Sequence, residues 1–169
     1  MAKNPAGYKP PEFKNEITLQ LSRNESQSAI DNLDEQLGSL GAEFVSRYPN
    51  HVALQNLIGK WVGVDVDRIV VTAGGDDSID RVMRTSLTKE RTSVVTHAPS
   101  FEMIDIYCGN YNGKVNVVQW IDGEFPADDL IAKIDSATAL VVITSPNNPT
   151  GGLVDLKTCL LYTSDAADE

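Results

Sequence analysis

Residues 145–152 read Ser-Pro-Asn-Asn-Pro-Thr-Gly-Gly and follow an apolar run, Ala139 to Ile143. A buried strand that ends in a turn so rich in proline, asparagine and glycine delivers polar groups to the edge of an α/β sheet. That edge is where such folds bind ligands. The prolines stiffen the turn, so the Asn148 amide is held at one point, as a fixed hydrogen-bond donor. Asn-Pro and Thr-Gly are also ordinary turn formers. A second group is Thr72-Ala73-Gly74-Gly75-Asp76-Asp77-Ser78, whose glycines follow an apolar run and open a helix. A helix start offers unpaired N–H groups and a partial positive charge, which suit a phosphate. The loop has neither the lysine of nucleotide-hydrolase phosphate loops nor the Gly-x-Gly-x-x-Gly spacing of dinucleotide sites. It also reads as a plain strand–helix turn capped by Asp76 or Ser78. Phe101, after Pro99-Ser100 at a strand end, could lie flat on a planar ring or pack in the core.

The remaining reactive side chains carry less. His97 stands at the same strand end without a partner carboxylate or cysteine, which suits a structural histidine. His51 reads as a helix-start residue, and Tyr48, before Pro49, as a turn residue. Cys108 reads as a buried filler. Asp76, Asp77 and Asp80 spread around one helix start and read as dipole partners, not as an acid–base pair.

The elements that must position these groups are legible from periodicity. Residues 1–15, with Pro5, Pro10 and Pro11, read as a mobile arm. A short extended segment covers Ile17 to Leu21. Ile30, Leu33, Leu37 and Leu40 recur at helical spacing from Ala29, and Gly38 and Gly41 end that helix near residue 40. Leu54, Leu57, Ile58 and Trp61 mark a second amphipathic helix. From residue 68 strands and helices alternate. The expected strands are 68–72, 92–96, 114–120 and 139–144. The helices between them carry Ile79, Val82, Met83 and Leu87, then Met103, Ile104 and Tyr107, then Leu130, Ile131 and Ile134, the last opening at Pro126. Such alternation predicts an α/β fold with a mainly parallel sheet covered by helices on both faces.

The chain has 169 residues, 41% hydrophobic and 22% charged, with a net charge of −10. That composition is globular, and the acidic balance argues against a nucleic-acid surface. No apolar run approaches the ~20 residues of a membrane span, and the N-terminus has no apolar core of a signal peptide. Both favour the cytoplasm. Cys108 and Cys159 make neither a metal spacing nor a disulfide framework. The terminal string Cys159 to Glu169 is similar to a one-frame translation of a transposase-end sequencing adapter and is set aside. Asp165, Asp168 and Glu169 in it account for three of the negative charges.

Five segments, in order, resemble the aminotransferase class I/II family, and within it the histidinol-phosphate aminotransferases. They are Leu21-Ser22-Arg23-Asn24-Glu25, Arg47-Tyr48-Pro49, Gly74-Gly75-Asp76-Asp77, Pro99-Ser100-Phe101 and Ser145 to Gly151. The resemblance covers about residues 17–153, and its last segment is specific to fold type I pyridoxal-phosphate enzymes. It implies an N-terminal arm over 1–26 and, over 27–158, part of the three-layer α/β/α large domain. The backbone of Gly75, Asp76 and Asp77 would hold the phosphate of pyridoxal 5'-phosphate. Phe101 would stack on the pyridine ring, where the family more often has tyrosine. Asn148 would donate to the phenolic oxygen. Tyr48 would reach the cofactor phosphate of a neighbouring subunit, implying a homodimer, and Asn24 would cover the amino-acid or keto-acid substrate.

The family's Schiff-base lysine, pyridine-nitrogen aspartate and carboxylate-binding arginine fall beyond the Asn-Pro-Thr-Gly turn, and neither Lys133 nor Lys157 has the right context. The expectation is therefore the N-terminal part of a transaminase that is inactive by itself. Residues 69–72 would lack neighbouring strands, which predicts a marginal fold with exposed edges. A β-lyase or decarboxylase of the same fold type is an alternative within enzymes. The aminotransferase-like effector domain of a transcription regulator is one outside them.

Overall fold

A computed structural model describes residues 32–155 and 157–158. The arm, the extended segment at 17–21, Asn24 and the 159–169 string lie outside the described residues. The chain divides into two compact units, one ending at Val71 and the other running from Thr72.

The first unit is helical. It holds α1 (Leu33–Gly38), α2 (Ala42–Ser46), α3 (Val52–Val62) and a single 3₁₀ turn at Val66–Arg68. His51 is the cap residue of α3, although Asn50 supplies the side-chain oxygen that accepts the Val52 N–H, at 3.1 Å. The Gln55 amide donates to the Ile69 carbonyl at 2.6 Å and ties the end of the unit to α3.

The strand expected at 68–72 is not formed. Ile69 takes extended angles, yet no described strand pairs with residues 69–72, and Val70 is 73% exposed. The Ile69 N–H and carbonyl find local partners, Val66 and the Gln55 side chain, in place of a ladder, so the segment is not a strand. The sequence pattern also missed α2, which is little more than one turn long.

In the second unit α4 (Gly75–Ser86), β1 (Ser93–Ala98), α5 (Met103–Asn110), β2 (Lys114–Gln119), α6 (Ala127–Ile131) and β3 (Thr138–Val142) alternate. The strands form one parallel sheet in the order β2-β1-β3. β1 runs in register with β2 from Ser93 opposite Lys114 to Ala98 opposite Gln119. Against β3 the register shifts between Ser93 and Val94.

β1 is buried on both faces, as a central parallel strand must be. Side chains alternate across a strand, so its neighbours in sequence reach different cores. Val94 packs with Met83 of α4 and with Ile104 and Cys108 of α5. Val95 packs with Val118 of β2 and Leu130 of α6. These two clusters make the three layers: α4 and α5 on one face, α6 on the other.

Candidate functional site

From β1 the chain crosses to β2 on one side and then to β3 on the other. The strand order therefore reverses at β1. The crevice outside the carboxyl ends of β1 and β3 is the place where open parallel sheets take ligands. The loop after β1 carries Phe101, and the loop after β3 carries Asn148. α4 precedes β1 and spans about 18 Å, at ~1.5 Å per residue, close to the roughly 20 Å of a six-residue strand. Since its last turn feeds the start of β1, its first turn reaches back toward the same carboxyl edge.

Gly75, Asp76 and Asp77 form the first turn of α4. No side chain caps their N–H groups, and Gly74 before them has φ 87° and ψ 179°, a backbone only glycine adopts readily. The turn is tied down from below. Thr72 Oγ1 and Ser78 Oγ lie 2.6 Å apart, and Thr72 Oγ1 donates to the Gly74 carbonyl at 3.0 Å. The cap expected from Asp76 or Ser78 is not formed, and Asp77 does not supply one. Its carboxylate turns back to accept the Ala73 N–H and Arg81 Nε, both at 2.9 Å. The Arg81 bond, then the Ala73 N–H, hold the Asp77 pKa below its ordinary value. That carboxylate is thus committed to the protein, and the helix-start amides are left without a side-chain partner.

The Phe101 ring is half-buried against the Met83–Ile104 cluster, so it is partly a core residue and keeps one side outside the core. Asn148 is exposed, and its amide makes no hydrogen bond within the described residues. Its neighbour Asn147 does the opposite. It is 3% exposed, and its Nδ2 donates to the Pro99 carbonyl at 2.9 Å and to Thr150 Oγ1 at 2.8 Å. The Asn147 N–H donates to the Gly152 carbonyl, and the Gly151 N–H returns to the Asn147 carbonyl, both at 2.7 Å. Asn147 closes the turn so that Asn148 projects from it. Tyr48 belongs to the other unit, between α2 and α3, and is fully exposed.

Sequence reasoning overlooked the support beneath this turn. Trp120, just past β2, is 4% exposed and stacks edge-to-face on His97 and Phe125, each with centroids 5.1 Å away. A Cβ at Gly152 would come within 2.6 Å of the Trp120 ring. We expect Gly152→Ala to push the turn off the indole and cost about 1–3 kcal/mol, as overpacking does. A urea midpoint lowered at constant slope would register it; an unchanged midpoint would mean that the ring gives way freely.

A planar, phosphate-bearing group fits this edge by its donor chemistry. The helix-start amides suit the phosphate, Phe101 offers an aromatic surface, and Asn148 is an uncommitted carboxamide. No group of metal-ligating side chains exists among the described residues, and no described helix is long and apolar enough to cross a membrane. A cavity of about 420 Å³ lined by Leu87, Thr88, Lys89, Thr92, Tyr111 and Asn112 lies at the opposite, amino edge of the sheet.

Comparison with known proteins places the fold. The chain is 28% identical over 154 residues to the histidinol-phosphate aminotransferase of Methanothermobacter thermautotrophicus, covering 86% of the chain and 40% of that relative. The chain thus spans well under half the length of the curated relatives it matches. Its fold is similar to that of histidinol-phosphate aminotransferase from Sinorhizobium meliloti in complex with pyridoxal 5'-phosphate, with a TM-score of 0.57 and 19% identity over 64% of this chain and 30% of that one. YbdL of Escherichia coli, a methionine aminotransferase, superposes with a TM-score of 0.67 and 20% identity over 81% of this chain and 39% of that one. Residues 15–160 match the model of aminotransferase class I and II, and the chain belongs to that pyridoxal-phosphate-dependent family.

Proposed function

We propose that this chain is the cofactor-holding N-terminal part of a transaminase that moves an amino group between glutamate and a keto or phospho-keto acceptor of the histidinol-phosphate type. What supports the reading is an uncapped helix start before β1 and, after β3, a closed turn with a free carboxamide, both expected at the carboxyl edge of one parallel sheet. Pyridoxal 5'-phosphate, when bound, supplies an electron sink for the carbanion formed next to an amino group. The amides of Gly75, Asp76 and Asp77 would bind its phosphate, and Phe101 would cover one ring face. Asn148 would donate to its phenolic oxygen, favouring the ionised phenolate.

In the proposed homodimer, Tyr48 would reach the phosphate held by the partner, and Asn24 would close over the substrate. No lysine stands on the loops bearing Gly75, Phe101 or Asn148. The proposal therefore gives this segment the tasks of holding and orienting, not of proton transfer, and by itself the segment should not turn over. A cytoplasmic location is part of the same reading.

Titration of the chain with pyridoxal 5'-phosphate, followed by absorbance, tests the holding role. Asn148→Ala should weaken binding about five- to tenfold, the worth of one hydrogen bond, with no change in the thermal midpoint, because that side chain is exposed. Inorganic phosphate should compete and pyridoxine should bind poorly. Equal affinity for pyridoxine and pyridoxal 5'-phosphate would count against the helix-start cradle.

A further inference from the structure

Thr144 is where the chain leaves the sheet for the Asn148 turn. Its N–H lies outside the β-ladder and donates to Nε2 of His97, 47 residues earlier, at 3.1 Å. The two side chains beside this bond reinforce it: Ser100 Oγ and Thr144 Oγ1 lie 3.1 Å apart, and Thr96 Oγ1 donates to the Val142 carbonyl at 2.8 Å. His97 is 1% exposed, and its ring is wedged edge-to-face between Trp120 and Phe125. Rotation away from Thr144 would break both ring contacts. The imidazole is therefore a fixed acceptor.

Beyond Thr144 the turn is stiff. Ser145 Oγ accepts the Val154 N–H at 2.9 Å, and Asn147 binds the Pro99 carbonyl and Thr150. A turn tied at so many points moves as one piece, so a shift at Thr144 is carried to Asn148. We propose that His97 is a positioning residue for Asn148, acting through the hydrogen bond its Nε2 accepts from the Thr144 N–H. The ligand part of this proposal rests on the reading that Asn148 faces the cofactor.

The bond also makes the turn sensitive to acid. Because Nε2 accepts, the imidazole proton sits on Nδ1. Burial lowers the His97 pKa, and the nearby Pro99 carbonyl opposes this. The rings of Trp120 and Phe125 and the backbone of Pro99 and Thr144 surround the group, and no charged side chain among the described residues contributes to its shift. At neutral pH His97 is an acceptor. Protonated on Nε2, it would present N–H to N–H, and Thr144 would lose its partner.

The test uses the whole chain and two variants. His97→Phe keeps an aromatic ring against Trp120 and Phe125 but has no acceptor. His97→Gln keeps an acceptor that does not titrate near neutrality. Without ligand, amide exchange followed by NMR should show Thr144 protected at pH 8 in the parent. Protection should fall by roughly tenfold as the pH drops below the ordinary histidine range. It should be low at both pH values in His97→Phe and high at both in His97→Gln. Protection in His97→Phe equal to the parent would overturn the proposal. If that variant does not fold, the contrast between a pH-dependent parent and a pH-flat His97→Gln decides, and equal profiles overturn it.

With pyridoxal 5'-phosphate as the probe at pH 8, His97→Phe should bind about five- to tenfold more weakly than His97→Gln; equal affinities would overturn the positioning role. If the parent shows the exchange pattern but binds no pyridoxal 5'-phosphate, the cofactor reading falls while the His97–Thr144 clamp is sustained.

Discussion

Trp120→Ala should lower the stability of the chain by about 3–5 kcal/mol, the range for truncating a buried aromatic residue. Three structures meet on this indole. Its ring is 4% exposed and makes T-shaped contacts with His97 and Phe125, which themselves lie 5.8 Å apart. Its Nε1 donates to the Gly123 carbonyl at 3.2 Å, and its backbone N–H extends the β1–β2 ladder by donating to the Ala98 carbonyl at 2.7 Å. The Gly152 backbone lies directly against the ring. Truncation would therefore open a cavity beneath the turn and leave His97 with one aromatic neighbour. Trp120→Phe should cost less, because it keeps an edge-to-face partner for His97 and loses the indole hydrogen bond. Urea denaturation checks both variants. A loss for Trp120→Ala below about 1 kcal/mol would show that the turn settles onto another surface.

The sheet was legible because its strands are nearly continuous apolar runs and its helices repeat at 3.6 residues. β1, β2, β3 and α4 to α6 fall where periodicity put them, within two or three residues. Residues 69–72 show what periodicity omits. Ile69, Val70 and Val71 have the composition of a buried strand, but strand formation needs a partner backbone, and none of the described strands provides one. Composition records the tendency, and the ladder is a non-local fact.

The site shows the same division. Asn148 was singled out from its place in a turn, and the structure leaves its side chain free. Asn147 is the same residue type one position earlier, and nothing local distinguishes the two. What buries Asn147 is the Pro99 carbonyl, 48 residues away in sequence. His97 read as structural, which its burial bears out, but its partner Thr144 is equally distant in sequence. The need for glycine at 152 comes from Trp120, a residue the sequence reading used only to end a strand. Residues that present chemistry carry motif signals. Residues that hold those motifs in place meet only through the fold.

Asn147→Asp should be the most damaging conservative change in the turn, costing roughly 3 kcal/mol at pH 7, the upper end for a stranded buried polar group. Asn147 uses both Nδ2 hydrogens, on the Pro99 carbonyl and on Thr150 Oγ1. A carboxylate has no hydrogens to give. It would set a charge beside the Pro99 carbonyl in a position that is 3% exposed, and the Asn147 Oδ1 already has no hydrogen-bond partner among the described residues. Burial would raise the new carboxyl's pKa in the folded chain above the ordinary ~3.9. The sign follows. The penalty is full above the folded pKa and shrinks as pH falls through it, since protonation removes the buried charge. The gap between parent and variant should therefore narrow between pH 7 and pH 5. Any attraction between the carboxylate and a protonated His97 works in the same direction. Asn147→Ala, which strands the same Pro99 carbonyl without adding a charge, should cost about 1–3 kcal/mol and show a gap that does not change with pH. Urea midpoints of the three proteins at both pH values measure this. Parallel pH profiles for Asn147→Asp and Asn147→Ala would mean that the position opens to water, and that Asn147 does not hold the turn closed.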